Sequence, residues 1–168
     1  DFDMTVSAGK EYRMWAVGID QSGKPVARFV VSEPYRVPDV EWSDAATITV
    51  DGYVWYDGNA LYDLDPDVFS SARGNAVVAI DVTHSPGAAH WYVGCFLGDL
   101  TESSDQSVIK NLTVYGMPDM KDQEEYLLLA YWGKNTICAV AEDAEGNFGP
   151  IVRKVVDLAK ETASPVPD

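Results

Sequence analysis

The chain has 168 residues and a formal net charge of −15, from 12 Lys and Arg against 27 Asp and Glu. A surface that binds nucleic acid or an anionic membrane must be positively charged, and the large negative net charge of the chain opposes this. Neither is therefore an expected partner. The hydrophobic content of 46% is ample for a packed core, and no apolar run approaches the ~20 residues of a membrane-spanning helix. The length exceeds one domain of roughly 100–150 residues and falls short of two.

The charge divides the chain into two parts. Residues 1–38 contain five acids and five bases, so the whole net charge belongs to residues 39–168. Pro34 and Pro38 favour extended backbone where the two parts meet. The sequence therefore predicts a domain boundary at residues 35–39.

An internal repeat is the strongest pattern in the chain. Residues 16–23 match residues 139–146 at an offset of 123, and residues 25–31 match residues 150–156 at an offset of 125. Each copy reads as a strand, a turn rich in Asp and Gly, and a second strand, which is the pattern of a β-hairpin. The repeat predicts a tandem of like domains.

The first of these domains is expected to be incomplete, with residues 1–36 as its last two strands and a linker. A lone hairpin is marginal in water. Three explanations are open: residues 1–34 dock on the second domain, pair with another chain, or belong to a truncated domain.

The second domain spans residues 39–160, and residues 161–168 are expected to be a tail. Its strands are predicted, in chain order, at residues 46–50, 54–56, 75–82, 89–97, 126–131, 136–142 and 151–158. Asp65 and Pro66 predict a helical turn over 67–72, and apolar spacing predicts a helix over 106–115. Short strands with one or two short helices predict a mainly all-β fold, an antiparallel β-sandwich.

Two segments carry a family resemblance: residues 11–23 (EYRMWAVGIDQSG) and residues 135–147 (NTICAVAEDAEGN). They resemble the F strand and F–G turn of fibronectin type III domains, in the form found in surface or periplasmic lipoproteins of Gram-negative gut bacteria. Tyr12 matches the corner tyrosine of that family, whose hydroxyl ties the E–F turn to the backbone. The second copy departs from the pattern, because Asn135 stands where this tyrosine would be.

The resemblance covers roughly residues 9–34 and 42–158. It implies an F–G hairpin of an incomplete fibronectin type III-like domain in residues 1–36 and a complete one in residues 39–160. It also implies an exported setting, at the outer-membrane surface or in the periplasm, with a lipid anchor outside this chain. Such motifs specify a fold more than a function.

The aromatic residues are too numerous to all face inward if the strands alternate. Trp55, Tyr56, Trp91 and Trp132 are the candidates for an exposed platform that binds a glycan or a protein. The alternative, which the ordinary role of aromatic pairs in sheets favours, is that they fill the core and the seam between domains.

Cys95 and Cys138 fall on neighbouring predicted strands, so a disulfide between them is possible. Because Ala139 aligns with Ala16 on the core face, Cys138 is predicted to point away from that face. A bridge therefore requires Cys95 to point away from the core as well. The alternative is two free, buried thiols.

Asp63, Asp65 and Asp67 superficially resemble a calcium loop. They lack the glycine and the distal glutamate of an EF-hand, and a capped helix start in an acidic loop explains them better. Neither a metal nor a cofactor is therefore expected.

His84 and His90 lie near Asp81 in the sequence, which suggests an acid–base pair. However, the sequence lacks the motifs of metalloproteases, serine hydrolases and phosphate-binding loops. It therefore predicts no enzyme, but a structural spacer or a binding or adhesion scaffold. The expected partners are neighbouring domains, and a glycan or protein ligand is the further candidate. A carbohydrate-binding module and an accessory domain of a larger hydrolase are the alternatives.

Overall fold

The computed structural model describes residues 9–37, 42–119 and 125–167. The chain divides into two compact units, Asp1–Val40 (unit 1) and Glu41–Asp168 (unit 2). The division lies next to the boundary predicted at residues 35–39. No helix in the described ranges is long and apolar enough to cross a bilayer.

Unit 1 is an irregular antiparallel hairpin. Its strands are β1 (Glu11–Tyr12), β2 (Trp15–Ala16), β3 (Val30–Val31) and β4 (Tyr35–Arg36). They pair in nested order, β1 with β4 and β2 with β3. At the tip, one carboxylate oxygen of Asp20 accepts the N–H groups of Ser22 and Lys24 at 2.8 and 3.0 Å. Gly23 follows with φ of 80°, a conformation that glycine adopts without strain.

In the described part of unit 2, seven strands form two antiparallel sheets. The three-stranded sheet has the order β5-β6-β9, formed by β5 (Ile48–Asp57), β6 (Ala76–His84) and β9 (Glu125–Ala130). The four-stranded sheet has the order β11-β10-β7-β8, formed by β7 (His90–Leu97), β8 (Met117–Pro118), β10 (Gly133–Glu142) and β11 (Val152–Leu158). This mainly β, antiparallel arrangement agrees with the predicted fold class.

Both sheets contribute to one apolar core, which explains why their strands alternate in burial. On β9, for example, Tyr126, Leu128 and Ala130 are buried, whereas Leu127 and Leu129 are exposed. The core also contains fully or almost fully buried residues of β6, β7, β10 and β11: Val78, Ile80, Val93, Ile137, Ala139, Val156 and Leu158.

Strand β10 is buried on both faces. Ile137 and Ala139 face the core between the sheets, whereas Cys138 and Val140 belong to a second apolar cluster. This cluster lies under helix α2 (Asp105–Tyr115). The prediction that Cys138 points away from the core face is thus confirmed, but the helix covers that side.

Helix α2 confirms the helix predicted over 106–115. It begins at Ser104, whose hydroxyl accepts the N–H of Ser107 at 3.3 Å, and ends at Gly116. Val108 and Leu112, one turn apart, are fully buried against β10.

The turn between β10 and β11 is the same as the turn of unit 1, 123 residues later. One carboxylate oxygen of Asp143 accepts the N–H groups of Glu145 and Asn147 at 3.1 and 2.8 Å, and Gly146 has φ of 88°. In each turn, the glycine N–H donates to the aspartate carbonyl. The repeat in the sequence is therefore a repeat of one hydrogen-bonded turn.

The alignment of the second strands at an offset of 125 is wrong. Val26 donates to the Gly18 carbonyl as Gly149 donates to the Ala141 carbonyl, both at 2.8 Å, so an offset of 123 continues beyond the turn. Further along, Ala16 pairs with Val30 and Ala139 pairs with Val152. The equivalent positions on the second strands, Val30 and Val152, are therefore 122 residues apart. The hydrogen bonds of the turn set this register, and the apolar pattern used for the alignment does not contain them.

Helix α1 (Gly58–Leu64) was not predicted. Asp57 caps it by accepting the Asn59 N–H at 3.0 Å, and Leu61 packs against Ala72 and Val77. Gly58 and Asn59 are poor helix formers, so this tertiary contact, not local propensity, selects the helix.

The helical turn predicted over 67–72 is replaced by a 3₁₀ helix at Ser70–Ala72. Asp65 ends α1, and its carboxylate accepts the N–H groups of Asp67 and Val68 at 3.1 Å each. Asp65 is therefore a capping residue as expected, but it caps a turn and not a helix.

The segment after β11 does not lie free over its described residues. The Ser164 N–H donates to the Trp55 carbonyl at 2.7 Å, and Ser164 forms a parallel bridge with Tyr56. Val166 packs against the small cluster around Leu61. The predicted tail, residues 161–168, thus covers part of β5.

Candidate functional site

The four aromatic candidates do not form an exposed platform. Trp91 is a core residue, 7% exposed, and its indole N–H donates to the Tyr126 hydroxyl at 2.7 Å. Tyr56 packs against the cluster under α1. These two side chains therefore lie in separate environments inside unit 2.

The other two candidates, Trp55 and Trp132, are partly buried against the core. Their indole N–H groups donate to the backbone carbonyls of Ala159 and Gly74 at 3.0 and 3.2 Å. Each indole thus attaches a distant loop to the sandwich. Their packing against the core agrees with the alternative that the aromatic residues fill the core.

The two histidines have different partners. The His84 ring stacks on Trp91 with a centroid distance of 4.0 Å, whereas His90 Nδ1 lies 3.2 Å from a carboxylate oxygen of Asp119. These contacts explain both side chains without an acid–base pair.

The cysteines are free thiols on opposite faces of their sheet. Cys95 pairs in register with Ile137 and packs on the core, whereas Cys138 pairs with Gly94 and faces α2. Burial raises the pKa of Cys95 to about 12 and that of Cys138 to about 11. The common orientation that a disulfide requires is therefore absent.

The acidic candidates Asp63, Asp65 and Asp67 do not form a cluster that could hold a cation. Asp65 uses its carboxylate to cap the turn that contains Asp67, and Asp63 lies on α1. Across the described ranges, no three His, Cys, Asp or Glu side chains are placed to hold a metal ion.

An exposed apolar surface lies on the outward side of the three-stranded sheet. We call it the outer face and define it by two rows across β5, β6 and β9: Val54, Ala79, Leu127, and Tyr56, Val77, Leu129. Helix α1 covers Val77 and Tyr56. Val54, Leu127 and Leu129 remain 41%, 49% and 44% exposed.

Sequence reasoning missed this surface. The apolar run 126–131 was predicted correctly as a strand, but its periodicity did not show which side is buried. Because β9 alternates, a continuous apolar run on a strand with one buried side places Leu127 and Leu129 in water. The uninterrupted apolar run 126–131 was therefore the sequence feature that could have indicated this exposed surface.

Carboxylates border the outer face at the end away from α1. The register continues there with the row Gly52, Asp81 and Glu125. Beyond this row, the Thr83 and Thr49 hydroxyls donate to Asp51 and lower its pKa, so this carboxylate stays ionised.

The outer face thus offers apolar contact, negative charge at one end, and the backbone of β9, which is the last strand of its sheet among the described residues. These are the properties of a binding surface. Neither a protein-family model, nor a curated protein, nor a solved structure matches this chain. Its function is therefore inferred from geometry and from the sequence.

Proposed function

We propose that this protein is a non-catalytic part of a tandem of fibronectin type III-like sandwiches and serves as a structural spacer and binding scaffold in an exported polypeptide. The observation that carries the proposal is the turn shared by the two units. Asp20 and Asp143 accept the same N–H groups, and Gly23 and Gly146 follow at the same position with positive φ.

The strand order of unit 2 supports the family. If β5 to β11 are lettered A, B, C, C′, E, F and G, then F lies between C and G, and E lies in the sheet with A and B. This is the division of strands expected of an immunoglobulin-like sandwich of the fibronectin type.

Asn135 supports the same proposal, because it performs the task of the corner tyrosine. Its amide nitrogen donates to the carbonyls of Tyr131 and Gly133 at 2.7 and 2.8 Å. Its oxygen accepts the Tyr131 N–H at 3.3 Å. The side chain thereby ties the turn between β9 and β10 to the start of β10.

Exposure in unit 1 supports the interpretation that it is an incomplete sandwich. Met14 and Trp15 are 68% and 67% exposed, whereas Ile137 and Cys138, their counterparts 123 residues later, are fully buried. A hairpin with apolar side chains on both faces is marginally stable in water unless other elements cover those faces. Further strands of the same sandwich would supply such a layer.

The exported, lipid-anchored setting rests on the family resemblance alone. The carbohydrate-binding alternative loses its support, because the four aromatic candidates have contacts inside unit 2. Whether the module accompanies a hydrolase is a property of the whole gene product.

The reading frame upstream of Asp1 tests the proposal. We expect it to encode further strands with the alternating pattern of a sandwich and a lipid-attachment cysteine before them. In the longer polypeptide, Met14 should be oxidised by peroxide more than about tenfold more slowly than in this chain, because burial protects thioethers.

Met117, which packs against the core of unit 2, is the internal control and should be oxidised at the same rate in both polypeptides. Equal oxidation of Met14 in both, by peptide mass spectrometry, would contradict the proposed tandem. An encoded catalytic domain would favour the accessory-domain alternative.

A further inference from the structure

We propose that the outer face and the edge of β9 bind an extended, cationic and apolar segment of another polypeptide, which adds to β9 as a further strand. The inference uses residues of unit 2 only. It therefore holds or fails independently of the proposed tandem of modules.

Within the part of the chain that the structure describes, strand β9 lacks the usual protection of an edge strand. It is the last strand of its sheet among the described residues, and its register against β6 runs from Glu125 to Ala130 without a bulge. Its sequence, EYLLLA, has neither lysine nor proline. Leu127 and Leu129 are exposed beside this edge. Natural proteins blunt such edges or cover them, so an added strand is the occupant that this geometry suits.

The outer face also provides room for side chains of the added strand. An open groove of about 650 Å³ crosses the sheet from Gly52 and Val54 on β5 to Leu127 on β9. Gly52 lines this groove, and a Cβ atom there would lie 3.2 Å from the Asp81 carboxylate. A long side chain that crosses β9 can lie in the groove, with its end near Asp81.

The charges select a cationic occupant. Strands β5, β6 and β9 contain no lysine or arginine. Their four carboxylates are Asp51, Asp57, Asp81 and Glu125. Asp57 pairs with Lys160 at 3.0 Å, at the end where it caps α1. Asp51 and Asp81 lie at the opposite end, where lysine or arginine of the added strand would meet them.

A second copy of this chain is a poorer occupant. Two β9 strands can pair their leucines, but such pairing brings no cation to Asp81. Residues 39–168 also carry the whole net charge of −15, so two copies of unit 2 repel each other.

The probe is an acetylated, amidated hexapeptide of alternating valine and lysine, labelled for fluorescence anisotropy and titrated with the full chain. We expect saturable 1:1 binding that weakens as salt rises. A hexapeptide with glutamate in place of lysine should bind at least about tenfold more weakly. Failure of the lysine peptide to saturate, or equal binding of the two peptides, would overturn the proposal.

A matched pair of leucine substitutions tests the location. Leu127→Lys should weaken binding of the lysine peptide at least about tenfold. Leu97→Lys makes the same chemical change at an exposed leucine on β7, in the other sheet, and should leave binding within about twofold. Equal loss in both variants would place the site elsewhere.

A matched pair of aspartate substitutions tests the charge. Asp81→Asn should weaken binding about fivefold and reduce its salt dependence. Asp157→Asn, on an exposed position of β11, should do neither. Because both aspartates are exposed, we expect both variants to fold.

Sedimentation equilibrium tests the other occupant, a second copy of this chain. The proposal would be overturned by a dimer that Leu127→Lys abolishes and that the lysine peptide does not displace, because β9 would then be an interface between copies.

Discussion

The side-chain amide of Asn135 is fully buried and makes three hydrogen bonds to the turn between β9 and β10. Its removal leaves two part-buried carbonyls and one part-buried N–H without this partner. We expect Asn135→Ala to lower the free energy of unfolding by about 2–3 kcal/mol, measured by urea denaturation.

The control is Asn111→Ala, which makes the same change on α2 and should alter stability by less than about 0.5 kcal/mol. If both substitutions had the same small effect, the hydrogen bonds of the Asn135 amide would not stabilise the turn between β9 and β10.

The reactivity of the two thiols, Cys95 and Cys138, depends on their burial. Because burial raises the pKa of Cys95 to about 12 and of Cys138 to about 11, very little thiolate exists at pH 8. We expect the folded protein to react with a thiol reagent about a hundredfold more slowly than the unfolded protein. In denaturant without reductant, two thiols should titrate. A result of zero would show a disulfide.

The same thiols link stability to pH. Their pKa values in the folded state lie above the ordinary value of 9.0, so the folded state holds its protons longer. This contribution is fully present below about pH 9 and is lost as pH rises toward 11–12. The decline in unfolding free energy over this range should therefore be smaller in a Cys95→Ala, Cys138→Ala variant than in the original chain.

Among the elements, helix α2 closes the side of β10 that faces away from the main core. Leu112 is fully buried there against Cys138 and Val140. Leu112→Ala should cost about 2–4 kcal/mol of unfolding free energy, because it leaves a cavity under the helix.

Val114→Ala is the control for this helix, since Val114 is 57% exposed, and it should cost less than about 1 kcal/mol. Chemical denaturation of both variants measures the difference. Equal effects would mean that α2 does not contribute its apolar side to the fold.

The two helices also show how far local patterns predict elements. The apolar spacing of α2 and its Ser104 cap are both local, so the sequence predicted it closely. Helix α1 starts with Gly58 and Asn59 and depends on contacts of Leu61 with Ala72 and Val77. Those contacts form only after the chain has folded back on itself. A pattern of neighbouring residues therefore could not predict them.

At the scale of the whole molecule, the apolar core clusters of the described residues are formed by unit 2 alone, from Ala46 to Val166. We expect residues 42–167 to fold without unit 1 and to unfold within about 2 °C of the whole chain, by circular dichroism. A melting temperature lower by about 10 °C would show that unit 1 stabilises the sandwich.

The sequence by itself determined the features that depend on neighbours along the chain. These are strands β5, β6, β7, β9, β10 and β11, though not β8, together with helix α2 and the repeated turn. In that turn an aspartate accepts N–H groups two and four residues further on. Local hydrogen bonds and apolar periodicity are sufficient for each of them.

Only the tertiary structure decided which side of each strand is covered and by what. It placed Cys95 and Cys138 on opposite faces, gave Trp55 a carbonyl partner 104 residues away, and left Leu127 in water at a sheet edge. The physical reason is that these outcomes depend on register and on contacts between distant segments. A one-residue shift in register would reverse every face.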